Sequence, residues 1–136
     1  MRNSRTRTVA ALAACALLVG AGAAVASERR AEAGGVQCGE ASYYAPSLHG
    51  RRMANGERFD RDSNAAAHRT LPLGTRARVT NLETGHSEVV EIEDRGPHVR
   101  DRIIDVSPRV AELLGMRAAG TARVEVQPLE VPRERR

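Results

Sequence analysis

Aromatic side chains are nearly absent: 136 residues hold no Trp, one Phe and two Tyr. A core built on rings is thereby excluded, and apolar packing falls to Val, Leu, Ile and Ala. Lysine is missing altogether, so all 21 basic residues are Arg, which reads as base-composition bias rather than function. Cysteine is limited to Cys15 and Cys38. The four histidines, His49, His68, His86 and His98, show no paired spacing of the H-x-x-x-H kind that a zinc site uses. No glycine-rich phosphate loop and no Gly-x-Ser-x-Gly is present. These absences leave carboxylate acid/base chemistry as the reaction class that the remaining residues support, with no metal and no cofactor expected.

The amino terminus has its own character. Arg2, Arg5 and Arg7 precede an uncharged stretch from Val9 to Ala26. Ala24-Val25-Ala26 before Ser27 has the small-x-small form of a secretory cleavage site. The stretch sits near the lower limit for spanning a bilayer and is rich in Ala and Gly. The reading is a signal peptide over 1–26 and export to the periplasm or the extracellular cell wall. Leu12-Ala13-Ala14-Cys15 resembles a lipobox, so the alternative is a lipid anchor on Cys15, the one route to membrane attachment. Removing the three leading arginines takes the formal charge from +4 to about +1, which gives no argument for a nucleic-acid partner. Cys38 then stands as a lone cysteine that cannot form an internal disulfide, and burial beside Tyr43 and Tyr44 is expected.

Residues 27–35 (SERRAEAGG) read as a linker, 36–131 as one domain and 132–136 (PRERR) as a tail. Strand signals lie at 39–45, 76–82, 87–93, 102–106 and 121–127, where apolar and polar residues alternate in whole or part. Residues 64–70 read as a short strand or a turn of helix. Glu83-Thr84-Gly85-His86 supplies a hairpin connection. One helix is clear: Ser107 is a good N-cap, Pro108 suits the first position, Val110, Leu113 and Leu114 share a face, and Gly115 stops it. Short strands, few helices and Gly/Pro turns point to a small β-barrel. Gly74-Thr75-Arg76-Ala77-Arg78-Val79 is echoed by Gly120-Thr121-Ala122-Arg123-Val124, which suggests two related halves.

Four residues draw chemical interest. Glu57 follows an Asn55-Gly56 turn, His68 follows three alanines, Asp94 ends a strand before Arg95-Gly96-Pro97, and Asp105 interrupts an apolar run. Each has a plainer role open to it. Glu57 suits a solvated loop charge, His68 a backbone-satisfied polar residue and Asp94 an Asx turn. For Asp105 the structural role is preferred: bonding backbone groups near the helix N-terminus.

The ordered set A-S-Y-Y, A-N-G-E-x-F-D, A-A-H-x-T-L-P-L-G-T, V-T-N-L, D-R-G-P and R-I-I-D-V-S, running from Gly39 to about Val126, resembles the RlpA (rare lipoprotein A) family of septal lytic transglycosylases. The resemblance implies a mainly β fold, a six-stranded double-psi β-barrel with one or two short helices. It implies cleavage of the MurNAc–GlcNAc bond of bacterial peptidoglycan, on strands lacking stem peptides, leaving 1,6-anhydro-MurNAc ends. It carries functional roles to Glu57, His68 and Asp94. Departures are Tyr43, where the family often has Trp, and Ala45, where it often has Gly. Many members carry a C-terminal SPOR domain that binds denuded glycan. This sequence shows none, so the expectation is a monomeric barrel that finds glycan strands by itself.

The resulting expectation gives Asp94 both roles, acid and then base, because the sugar's own C6 hydroxyl replaces water as nucleophile. Partial burial or a nearby acid such as Glu57 would raise the Asp94 carboxyl, His68 would position the sugar or Asp94, and Tyr43 and Tyr44 would offer stacking faces for sugar or fill the core. Arg95 would bind substrate while pointing away from Asp94. The alternatives are an expansin-like module that binds wall glycan without cutting it, and a hydrolase using two carboxyls, which sit roughly 5 to 9.5 Å apart in such enzymes.

Overall fold

The computed structural model describes residues 35–133. The signal peptide, the lipobox alternative at Cys15, nearly all of the linker and most of the tail lie outside the described residues. Six strands form: β1 (Gln37–Tyr43), β2 (Ala65–His68), β3 (Arg76–Asn81), β4 (Ser87–Asp94), β5 (Arg102–Val106) and β6 (Ala122–Glu130). They close a barrel in the order β1-β5-β2-β4-β3-β6. β1 runs parallel to β5 and β2 parallel to β4, while the other neighbours are antiparallel. This is the double-psi β-barrel.

Alternation decides which side chains fill it. Ala77, Val79 and Asn81 of β3, Val90 and Ile92 of β4, Ile104 and Val106 of β5, and Ala122, Val124 and Val126 of β6 are all buried. Their intervening neighbours face outward, as a period of two requires. The residues echoed in the sequence enter β3 and β6, which pair with Val79 opposite Val126. Each strand is approached through a glycine at positive φ, Gly74 at 93° and Gly120 at 83°, a backbone that a β-carbon disfavours.

β2 lies buried on every residue, unlike the half-exposed β3. Ala66 belongs to the barrel core, whereas Ala65 packs outside it with Met53 and Phe59. The segment between β1 and β2 therefore folds back over the outer face of β2. It carries a short 3-10 turn at Pro46–Leu48, and Tyr44 and Leu48 pack on that second cluster. Three alanines in succession suit a strand squeezed between two packing layers. The choice between strand and helix for this stretch is settled by burial, not propensity.

Helix α1 (Pro108–Leu113) is capped by Ser107, whose Oγ accepts from the Val110 N–H at 3.2 Å and donates to the Ser63 carbonyl at 2.6 Å. Gly115 follows it at φ 71°. Buried Asn81 ties the helix end to the β3–β4 hairpin: its amide donates to the Leu114 carbonyl at 2.8 Å, and its oxygen accepts from the Glu83 N–H at 2.9 Å. Cys38 is half-buried in β1 and does not stand as a free thiol. The expectation of a lone buried thiol does not hold.

Candidate active site

Strand order brings two aspartates to the same place. Ala67 of β2 is the register partner of Asp94 on β4 and of Asp105 on β5. The two carboxyl-bearing positions flank one alanine, two strand spacings or about 10 Å apart at the backbone. The overlying 44–63 segment leaves a cleft of about 400 Å3 above them, lined by Tyr43, Tyr44, Phe59, Asp94, Arg95 and Asp105 among others. Arg51, Arg52 and His98 give it a basic rim. Gly96 and Pro97, joined by a cis peptide bond, close one side.

Asp94 receives two donors. The Tyr44 hydroxyl donates to Oδ2 at 2.5 Å and the Ala54 N–H donates to Oδ1 at 2.9 Å. Convergent donors of this kind suit a carboxylate. Burial, then the Asp94 hydrogen bond and charge, raise the Tyr44 phenol well above its ordinary value, so it remains a donor. The Tyr44 ring stacks on Phe59 at a centroid distance of 4.3 Å, which fixes the hydroxyl's direction.

Asp105 occupies a different environment. It accepts a short hydrogen bond from the Ser42 hydroxyl across the β1–β5 pair. Burial raises its carboxyl above the ordinary range, against the opposing pull of Ser42, Arg102 and His98, and the charge of Asp94 raises it further. The expected bonds from Asp105 to backbone near the helix N-terminus are not what the structure shows: Ser107 caps the helix, and Asp105 holds Ser42 and lines the cleft. A signal existed in the sequence: the helix already had a cap, and an aspartate between Ile104 and Val106 had no helical task left. Phe59, Ser42 and the Ala54 amide were also missed, since each matters only through a long-range contact.

The remaining candidates fall elsewhere. His68 is 3% exposed and does not line the cleft. Its Nδ1 accepts from the Thr70 and Leu71 N–H groups at 3.1 and 3.0 Å, so Nε2 carries the proton and donates to Gln37 Oε1 at 2.9 Å. Burial, with Arg95 and Arg69 nearby, lowers its pKa to about 4. It is a neutral clamp on the turn after β2. Arg95 secures that same turn by donating to the carbonyls of His68 at 3.0 Å and Leu71 at 2.6 Å. It makes no ion pair with Asp94 among the described residues. Tyr43 lines the cleft, and its hydroxyl donates to the Arg117 carbonyl at 2.9 Å. Glu57 is exposed, and its side chain meets Glu93 rather than Asp94. The expected coupling of Glu57 to Asp94 is therefore not what the structure places there. No cluster of three or more His, Cys, Asp or Glu residues able to hold a metal occurs among the described residues.

The family model described as lytic transglycolase matches residues 36–126. The chain belongs to this family. Relatives bear out the resemblance to RlpA. "Probable endolytic peptidoglycan transglycosylase RlpA" of Synechocystis sp. is 52% identical over 89 residues, covering 65% of this chain and 28% of that protein. "Endolytic peptidoglycan transglycosylase RlpA" of Pseudomonas aeruginosa is 48% identical over 92 residues, covering 68% of this chain and 27% of that protein. The chain thus matches little more than a quarter of the length of these curated relatives. Among solved structures, the Streptomyces papain inhibitor superposes with a TM-score of 0.57 at 20% identity, covering 70% of this chain and 94% of that one. At that identity the likeness is one of fold.

Proposed function

We propose that this family member is an exported lytic transglycosylase. It would cut the MurNAc–GlcNAc bond of peptidoglycan strands lacking stem peptides and leave 1,6-anhydro-MurNAc ends. The observation that carries the reading is the pair of carboxyls, Asp94 and Asp105, in unlike environments over one cleft. Two carboxyls in unlike surroundings can take unlike roles, one carrying a proton and the other supplying charge.

In this reading Asp105, which burial favours in its protonated form, gives its proton to the glycosidic oxygen as the bond to C1 opens. GlcNAc leaves with a free 4-hydroxyl. The C6 hydroxyl oxygen of MurNAc then bonds to C1, and its proton returns to Asp105, so no water is consumed. Asp94, held by the Tyr44 and Ala54 donors, offsets the positive charge that grows at C1. This reading differs from the expectation that Asp94 carries both proton transfers. Tyr43 and the Tyr44–Phe59 stack offer the apolar surface on which a sugar ring rests.

A second reading has one specific observation behind it: two carboxyls in a cleft are also the equipment of a hydrolase. Digestion of denuded glycan strands, read by mass spectrometry, separates the two. Anhydro ends support the lyase, reducing ends the hydrolase. Intact strands with measurable binding would overturn both in favour of an expansin-like module.

A further inference from the structure

Glu93 stands beside the catalytic strand end but outside the cleft lining. The turn from Met53 to Glu57 lies across it. Within that turn the Ala54 N–H reaches Asp94 at 2.9 Å, while the next residue turns to Glu93: the Asn55 N–H donates to the Glu93 carbonyl at 3.1 Å and the Asn55 side-chain amide donates to Glu93 Oε1 at 3.3 Å. The other end of the Asn55 side chain accepts from the Glu57 N–H at 2.9 Å. The turn is closed on itself by the Met53 N–H to the Glu57 carbonyl at 2.7 Å and the Gly56 N–H to the Met53 carbonyl at 3.0 Å. The grip is therefore twofold, by the Asn55 backbone and the Asn55 amide, and both end on one residue.

We propose that Glu93 is a positioning residue: with Asn55 it holds the 53–57 turn against β4, and so keeps the Ala54 N–H on the Asp94 carboxylate. The inference rests on the transglycosylase reading for its effect on rate, but not for the contact itself. Glu93 does not line the cleft. Two neighbouring positions of β4 thus divide their work, Asp94 facing the chemistry and Glu93 securing the donor that orients it. The charge of Glu93 also contributes to the raised Tyr44 phenol, which places it within electrostatic reach of the second Asp94 donor.

The test compares Glu93→Ala with Glu93→Gln in the full chain. Gln keeps an oxygen that accepts from the Asn55 amide. Glu93→Ala is expected to lower kcat about tenfold, the scale set by loosening one charge-assisted hydrogen bond, with KM within about twofold. Glu93→Gln should restore kcat. A second readout is independent of activity: amide hydrogen exchange at Ala54 should speed up about tenfold in Glu93→Ala and stay slow in Glu93→Gln, with the Val79 amide unchanged in both as the check on folding. Equal Ala54 protection in wild type and Glu93→Ala would overturn the proposal, as would a Glu93→Gln variant no better than Ala by both measures. If the wild-type protein cuts no glycan, the transglycosylase reading falls, while Ala54 exchange still decides whether Glu93 holds the turn.

Discussion

At the residue scale, the informative contrast is between two aspartates and a histidine that the sequence made look alike. Asp94→Asn and Asp105→Asn should each abolish glycan cleavage. Neither should cost more than about 1 kcal/mol in urea unfolding, because both lie at a cleft rim rather than in the core. Asp105→Asn also removes a carboxyl that burial penalises and leaves an oxygen for the Ser42 hydroxyl. A variant at 105 that cleaves normally would remove the proton donor from the mechanism. His68 behaves in the opposite way. Its folded pKa of about 4 lies below its ordinary 6.5, so between those values the unfolded chain binds the extra proton. Stability is then full above pH 6.5 and falls as pH drops toward 4, by up to about 3 kcal/mol for this one group. His68→Asn supplies an oxygen for the Thr70 and Leu71 N–H groups without a titrating ring. Denaturant unfolding at several pH values should show the variant flatter than wild type over that window.

At the scale of elements, strands and helix were legible because period and capping are local signals. β5 falls where the alternation put it, Arg102 to Val106, and Ser107 caps α1 as its residue type demands. β6 runs on to Glu130, past the alternating stretch, because β3 continues to offer it partners up to Arg76. What could not be read locally was adjacency. Nothing in residues 64–70 says that Ala67 has Asp94 on one side and Asp105 on the other, and nothing near Glu57 says that it meets Glu93. Long-range register decides both: of the residues a family motif named, Asp94 lines the cleft while Glu57 and His68 do not, and Asp105, preferred for a structural role, lines it with Asp94. The Ser107 cap is a test of the local part. Its hydroxyl holds the helix start and also the Ser63 carbonyl from the overlying segment. Ser107→Ala loses a cap and leaves a buried carbonyl short of a donor, a cost of about 2 kcal/mol read as a lowered midpoint of thermal or urea unfolding. A change under a few tenths would mean that the cap contributes little here.

For the molecule as a whole, the fold and the chemistry are linked by the double-psi crossing. The order β5-β2-β4 puts Asp94 of β4 and Asp105 of β5 on opposite edges of β2, both level with Ala67 at one side of the barrel. The long segment between β1 and β2 then roofs that side, and Met53 and Phe59 anchor it with Ala65. The chemistry of the cut follows from how many carboxyls must act on water. If Asp105 alone carries the proton out and back, the departing bond is replaced by the C6 oxygen of the same sugar. The product then ends in 1,6-anhydro-MurNAc, about 18 mass units (one water) lighter than a hydrolysed end. Digestion in ¹⁸O-labelled water leaves such ends unlabelled. If instead Asp94 draws a proton from water, each cut introduces one labelled oxygen at a reducing end, and the number of labelled ends equals the number of cuts. A digest with every new end labelled would exclude the intramolecular route, while unlabelled, lighter ends appearing on fragments of all lengths from the first minutes would be the signature of an endolytic lyase.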